Sequence, residues 1–453
     1  MTEAFDLVVI GSGTAAQTVA STCRAAGWTV AMVDKRPFGG TCALRGCDPK
    51  KVLVSAAAAV DAARLLAGKG VHPDNLAIDW TELIQFKRAF TDPRPEQLTA
   101  SLARSGIRTF QNTARFVGPS QVSVGDTMLI AARAIVVAAG ARPADLPIDG
   151  REHLLTSDQF LELPSLPPSM VFVGGGYISF EFAHVAARAG ARVTILHRDA
   201  RPLAEFDPGL VERLTARTRA LGVDMRLGTE VRAIQAIDGR YRVTADGADD
   251  ARTVIDADLV VHGAGRVPDV DELALDAGGV RYSRAGVEVN PYLQSVSNPI
   301  VYAAGDCAAT DGPALTPVAA YEGRIVAANL LEGNHETPDY HAIPSVVFTL
   351  PPIARVGLRE EEAHTNGLAF VAHRKEDTST WSSSRRLGEA FSGFNVLVEQ
   401  ESGRILGAHV FGPHADETIN LFALAMRAGV TAEQFKQTLW AYPTHGSDTA
   451  YMV

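Results

Sequence analysis

The stretch FDLVVIGSGTAAQTVASTCRAAGWTVAMVDK, residues 5–35, reads as an apolar strand, a glycine turn, a helix ended by a glycine and a second apolar strand. Those elements in that order make a βαβ unit of the kind that cradles dinucleotides. The same order returns at residues 169–199, SMVFVGGGYISFEFAHVAARAGARVTILHRD. The interval from Gly11 to Asp34 recurs from Gly174 to His197, so two nucleotide-binding domains are expected. Downstream, ADLVVHGAGRVPDV closes a strand-rich section, and NPIVYAAGDCA offers another buried strand with an acid at its carboxyl end. LTPVAAYEGRIVAANLL then reads as a long helix, which places the second unit as an insertion in the first.

Proline-rich joints at LPSLPPS and GNHETPDYHAIPS mark boundaries. Beyond about Tyr340 come the alternating strands of FNVLVEQESGRILGAHVFG, turning at Ser402–Gly403, then helical ETINLFALAMRAGV and TAEQFKQTL. The expected fold is α/β, with two Rossmann-like domains and a C-terminal α+β domain suited to subunit contact. The expected limits are residues 1–148 and 269–336 for the first domain, 149–268 for the inserted one and 337–453 for the last.

A chain of 453 residues exceeds one hydrophobic core, and 46% hydrophobic with 21% charged residues is ordinary for a globular protein. A net charge of −10 gives no reason to expect nucleic acid or an anionic membrane as partner. No apolar run is long enough to span a bilayer, since SAAAAVDAA is short and broken by Asp61. FDLVVIGSG already reads as strand and turn, so no signal peptide is expected. Four unevenly spaced cysteines do not make a secreted disulfide scaffold, and a reducing, cytoplasmic setting is expected.

In the first loop, Gly11 makes the tight bend, Gly13 lets a pyrophosphate approach, and Ala16 seats helix against strand. Asp34 ends the second strand, where a carboxylate accepts hydrogen bonds from ribose hydroxyls. In the second loop Gly174 and Gly176 are kept, Ser179 takes the small third position, and His197 stands where the acid would be. Without that carboxylate nothing repels a 2′-phosphate, and Arg198, assisted by Arg201, can pair with one. NADPH is therefore favoured over NADH.

Between these features lies PFGGTCALRGCDPKK, residues 37–51. In an ideal helix, residues five apart have Cα atoms about 8.6 Å apart, beyond the roughly 6.8 Å a disulfide spans. Cys42 and Cys47 can bond only across a distorted backbone, and Gly46 supplies freedom for that. A strained disulfide is easily reduced, as a working redox pair must be. A metal reading needs two more soft ligands, and no second cysteine pair supplies them. Cys23 and Cys307 read as small buried residues.

With these pieces assembled, the chain resembles the flavoprotein disulfide reductases, the class I pyridine nucleotide-disulfide oxidoreductases, over almost its whole length. GGTCALRGCDPKK is similar to the redox motif of that family, which includes glutathione reductase, lipoamide dehydrogenase and mercuric reductase. GGGYISFEF, HGAGRVPD and VYAAGDCA match the nicotinamide loop, the strand end after it and the second FAD contact. ALTPVAAYEGR and IPSVVFTLPPIARVGL lean toward glutathione reductase, GSGTAAQ and VTILHRD toward mercuric reductase.

The resemblance implies FAD on Gly11, Gly13, Thr14, Ala15 and Ala16, with Asp34 on its ribose and Lys35 beside it. Gly40, Thr41, Lys51, Ala139, Gly140, Gly265, Arg266, Gly305, Leu315, Thr316 and Pro317 are implied as further cofactor contacts, and Asp306 as the partner of the ribityl chain. The helix after Thr316 would aim its positive end at the reduced flavin. Lys50 would lie near the flavin and pair with Glu181, and Tyr177, followed by Ile178, would cover the ring until nicotinamide displaces it. Cys47 would be the thiolate on the flavin and Cys42 the outer thiol. The implied reaction runs from NADPH to FAD, to the Cys42–Cys47 disulfide, to an acceptor.

The family's C-terminal histidine, the acid–base of the partner subunit's outer thiol, is replaced here. AYPTHGSDTAYMV puts Tyr442 at that position and Ser447 at its glutamate partner's. A tyrosine titrating near 10 is a poor proton shuttle at neutral pH, and His445 is a candidate substitute. A homodimer is expected. The acceptor stays open between a metal or thiol-linked compound, glutathione or lipoamide disulfide, and a diaphorase or oxidase reaction straight from flavin to quinone or oxygen. A flavin-binding electron carrier is a further alternative.

Overall fold

The computed structural model describes residues 1–247 and 251–453. The chain forms two compact units, one of residues 1–51, 85–145 and 265–340, the other of residues 52–84, 146–264 and 341–453. At the centre of the first unit are β1 (Thr2–Ile10), α1 (Thr14–Ala25) and β2 (Val30–Asp34). β1 and β2 pair in parallel, and the sheet runs on through Ile107–Gln111 beyond β2 and Thr127–Val137 beyond β1. The next parallel strand, Val301–Ala303, comes from far downstream and pairs with Ile135–Val137. Apolar residues run without alternation through residues 7–10 of β1 and 30–33 of β2 because both faces of a parallel sheet are covered there. Leu7, Val8, Val9, Ala31, Met32 and Val33 are fully buried accordingly. Each such aliphatic side chain contributes about 1.5–3 kcal/mol.

In the second unit the later βαβ pattern forms a parallel sheet in the order Asp224–Arg226, Arg192–Leu196, Ser169–Val173, Leu259–His262. An antiparallel sheet of Glu230–Ile237, Arg240–Asp246 and Arg252–Ala257 adjoins it in sequence. The tail makes a five-stranded antiparallel sheet, in which Gly393–Glu399 and Ile405–Phe411 form the foreseen hairpin. Helix Ala415–Arg427 contributes Ile419 and Phe422 to the core beside that sheet. The expected α/β architecture with a C-terminal α+β portion is what the chain adopts.

The cysteine segment breaks where a disulfide requires it to. A short α2 (Gly40–Arg45) ends at Gly46, and α3 (Cys47–Leu65) starts anew with Cys47 as its first residue. SAAAAVDAA belongs to α3, but Asp61 is no solvated break: it is the counter-ion of Arg188 at 2.8 Å and of Arg217 at 3.0 Å, both largely buried. Cys23 and Cys307 are fully buried, where loss of hydration pushes both thiols up, to about 11 and about 12.

Candidate redox site and nucleotide cradles

The first glycine loop is tightened at Gly11, whose φ is +114° and whose added Cβ would lie 2.1 Å from the Ala138 carbonyl oxygen. Gly13 caps α1 with no side-chain hydrogen bond, and a Cβ there would meet nothing within 4 Å. First-turn amides without an intrahelical acceptor, behind a glycine, suit a phosphate. Beneath them Ala15 and Ala16 are buried, which lets α1 sit close to the sheet. The Asp34 carboxylate accepts from Ser12 Oγ at 2.6 Å and from the Arg36 amide at 2.9 Å, and its remaining lone pairs suit ribose hydroxyls. Lys35 next door points its ammonium at Asp269 (3.1 Å) and Glu272 (2.7 Å). These groups fit a dinucleotide with an anionic centre and free ribose hydroxyls, as FAD has.

Further loops converge from the same unit. Ala141–Pro143 pairs with Arg266–Pro268, bringing the Ala139–Gly140 turn to Gly265 and Arg266. Asp306 follows the strand Val301–Ala303; burial raises its carboxyl above the usual range while the Arg266 charge opposes the rise. Gly40 comes so close to Gly13 that a Cβ would lie 2.5 Å from the Gly13 Cα, which ties the Thr41–Cys42 segment to the phosphate loop.

Cys42 and Cys47 are free thiols in this structure, hydrogen-bonded to each other, and Cys47 Sγ lies 3.4 Å from Thr316 Oγ1. Thr316 opens the helix Thr316–Glu332, Leu315 is its N-cap without a side-chain bond, and Pro317 follows in the first turn. The hydrogen bond from Cys42, then Thr316 and the Lys50 charge, carry Cys47 down to about 6 against the effect of burial. Cys42, as donor and partly buried, moves up. Of the two sulfurs, Cys47 is the one whose surroundings favour the thiolate and Cys42 the one whose surroundings favour the thiol. Lys51 continues α3 after Lys50.

In the second unit, Gly174 has φ +102° and Gly176 caps helix Tyr177–Arg188 without a side-chain bond. Ser179 fits the third small position only because residue 263 is glycine, where a Cβ would lie 1.9 Å from its hydroxyl. His197, in the acid's place, is used by the fold itself. Its Nδ1 accepts from the Gly175 amide and its Nε2 donates to the Arg201 carbonyl, both at 3.0 Å. Arg198 is exposed, with Asp199 beside it at 3.4 Å. Tyr177 is half-exposed and Ile178 partly buried at the start of the same helix; Glu181, in its second turn, is buried and accepts from the Phe348 amide at 2.9 Å.

At the C-terminus Tyr442 is 77% exposed. His445 is half-buried with its ring centroid 4.6 Å from that of His414; burial first, then the charges of His414 and Arg386, take it down to about 4. Ser447 exchanges hydrogen bonds with Thr444 in a capping box, which uses the side chain locally. The residues that sequence reading passed over are Glu322 and Tyr340, joined by a 2.6 Å hydrogen bond beside Gly305, and the His197 bridge. Only the run YEGR inside an otherwise apolar helix signalled the first of these.

The family model described as pyridine nucleotide-disulphide oxidoreductase matches residues 5–323, and that family's dimerisation domain matches residues 343–452. A glutathione reductase of Burkholderia cepacia is 33% identical over 97% of this chain and 96% of its own length. A mercuric reductase of Streptomyces lividans is 33% identical over 97% and 94% respectively. Among solved structures, the HOCl-induced flavoprotein disulfide reductase RclA from Escherichia coli superposes with a TM-score of 0.87 at 26% identity, covering 99% of each chain, and a Cu(II) complex of RclA scores 0.88. By fold, by redox motif and by full-length similarity, the chain belongs to the pyridine nucleotide-disulphide oxidoreductase family of FAD-dependent, NAD(P)H-consuming enzymes.

Proposed function

We propose that the protein is a homodimeric, cytoplasmic, NADPH-dependent reductase that delivers electron pairs through Cys42 and Cys47 to a thiophilic metal ion. In this reading residues 1–148 and 269–336 hold FAD, residues 149–268 hold NADPH and residues 337–453 meet the partner subunit. Bound FAD would take the hydride equivalent of NADPH and pass its electron pair to the disulfide. Gly11, Gly13 and the first turn of α1 would seat its pyrophosphate, Asp34 its ribose and Asp306 its ribityl chain. Lys50, Thr316 and the helix start behind Thr316 would stabilise negative charge beside Cys47.

The observation that carries the choice of acceptor is the mismatch between the thiol pair and the C-terminus. Cys42 keeps its proton, so attack on a disulfide substrate calls for a base titrating near neutrality. Tyr442 is a phenol, and His445 is carried down to about 4, so neither supplies one. A soft metal ion needs no base, because coordination itself expels the thiol proton. The step then balances: Cys42–SH and Cys47–S⁻ lose two electrons and one proton and form the S–S bond, while two Cu(II) become two Cu(I) or one Hg(II) becomes Hg(0). Over the cycle, NADPH with two Cu(II) gives NADP⁺, H⁺ and two Cu(I), and NADPH with one Hg(II) gives NADP⁺, H⁺ and Hg(0). Similarity to mercuric reductase and to a protein solved with Cu(II) supports the same acceptor class.

The test is anaerobic NADPH oxidation by the purified yellow protein, with Cu(II), Hg(II), glutathione disulfide or lipoamide as acceptor. Turnover with a metal ion is expected to exceed that with either disulfide at least tenfold and to vanish in Cys42→Ser. A disulfide that outruns both metals would refute the proposal.

A further inference from the structure

The helix Thr316–Glu332 carries a carboxylate where apolar packing is the rule. Glu322 is 1% exposed, less than two turns downstream of Thr316. Three donors converge on it. The Gly305 amide reaches Oε2 at 2.6 Å, while Thr310 Oγ1 and Tyr340 Oη reach Oε1 at 3.0 and 2.6 Å. An ionised carboxylate accepts all three, whereas an amide would keep the Gly305 bond only with its N–H groups turned toward the two hydroxyls, which would then have to accept. The surroundings hold the arrangement fixed. Gly323 lies so close to α1 that a Cβ would sit 2.9 Å from the Ala15 carbonyl, and Gly312 leaves room for the Tyr340 ring, which a Cβ would approach to 2.5 Å. Gly305, at φ +75°, turns the chain into Asp306; burial first and the Asp306 charge last push the Glu322 carboxyl up, and the three donors to it oppose the rise. Burying an ionised carboxylate costs several kcal/mol, which an apolar contact at the same place would avoid.

We propose that Glu322 is a positioning residue for the redox centre: braced by Tyr340 and Thr310, it locks the Gly305–Asp306 turn to the helix whose first residue meets Cys47, and its charge lowers the reduction potential there. This rests on the flavin reading above. A fixed anion disfavours the arrival of electrons and opposes the positive helix end. Removing its charge makes the flavin easier to reduce and the Cys47 thiolate easier to form.

The experiment equilibrates the holoprotein with a reference dye and follows the thiolate–flavin charge-transfer band against pH. Glu322→Gln is expected to shift the reduced-to-oxidised flavin ratio about tenfold toward reduced, equivalent to about 30 mV for a two-electron couple. It should also move the titration of the band to lower pH. Tyr340→Phe loses a brace but keeps the charge, so it should lower the melting temperature and leave the dye ratio within twofold of wild type. A yellow, folded Glu322→Gln with unaltered ratio and titration overturns the proposal and leaves the flavin reading intact; a colourless wild type overturns both. If Glu322→Gln does not fold, Glu322→Asp serves instead. It retains the charge but falls short of Gly305, so a weakened band at an unchanged dye ratio is expected, and an unchanged band overturns the assignment.

Discussion

In the NADPH reading a single side chain decides how the second nucleotide loop treats a ribose. A carboxylate at position 197 would repel a 2′-phosphate; the imidazole found there is neutral toward one and is occupied by Gly175 and Arg201. In the NADPH reading selectivity is left to Arg198, whose exposed guanidinium has the neighbouring Asp199 at 3.4 Å. A charge-assisted hydrogen bond to phosphate contributes about 1.5–3 kcal/mol. Arg198→Ala is therefore expected to lower kcat/KM for NADPH by roughly ten- to a hundredfold. Its value for NADH should stay within about twofold, measured by stopped-flow reduction of the flavin. Equal losses with both coenzymes would mean that Arg198 is a solvated surface charge. The histidine itself was legible in the sequence only as a missing acid. Its two hydrogen bonds were not, because they depend on how residues 198–202 fold back, and nothing in the composition of that loop specifies this.

At the scale of elements, regular pattern was readable and long-range polar pairing was not. Glycine turns between buried strands have one low-energy form, so both βαβ units and the C-terminal hairpin follow from residue order alone. The break between α2 and α3 also follows, from the reach of a disulfide against helix geometry and the glycine at position 46. Asp61 shows the limit. In the sequence it interrupts an alanine-rich run, yet α3 directs it to Arg188 and Arg217, more than a hundred positions away in the chain. Arg188 is fully buried and also donates to the carbonyls of His184 and Leu350, at 3.1 and 2.9 Å, and burial carries it down to about 10. Removing the shared counter-ion leaves the two guanidinium groups with the buried Glu389, 3.8 Å from Arg217, as a remote and partial replacement. Asp61→Ala is expected to cost about 3–5 kcal/mol in denaturant unfolding at neutral pH. The Cys42–Cys47 pair should keep its thiolate titration in the folded fraction, since the main influences on either sulfur are the other cysteine, burial, Thr316, Lys50 and Asp48. A loss below about 1 kcal/mol would show that water replaces the carboxylate without penalty.

For the whole molecule the open question is assembly. The segment that matches the dimerisation domain exposes large apolar side chains: Leu424 at 67%, Leu439 at 98%, Tyr442 at 77% and Tyr451 at 71%. Scattered surface leucines are ordinary, but a nearly naked leucine three residues before an exposed tyrosine, in a domain of this kind, is suited to burial by a second copy. A two-fold interface uses each residue twice, so a change at one position is felt at two places. Burial of a leucine contributes about 1.5–3 kcal/mol, so Leu439→Glu should weaken a dimer by at least about 3–6 kcal/mol, or two to four orders of magnitude in Kd. Sedimentation velocity is expected to find a dimer for the wild type and a growing monomer fraction for Leu439→Glu at micromolar concentration. Reduction of flavin by NADPH, which needs one chain, should persist in the monomer. Acceptor turnover should fall in proportion to the dimer fraction if Tyr442 serves the thiol pair of the other chain. A monomer that turns over acceptor at the wild-type rate would show that each chain carries a complete site, and that the substitution of tyrosine for the family's histidine has no bearing on the chemistry.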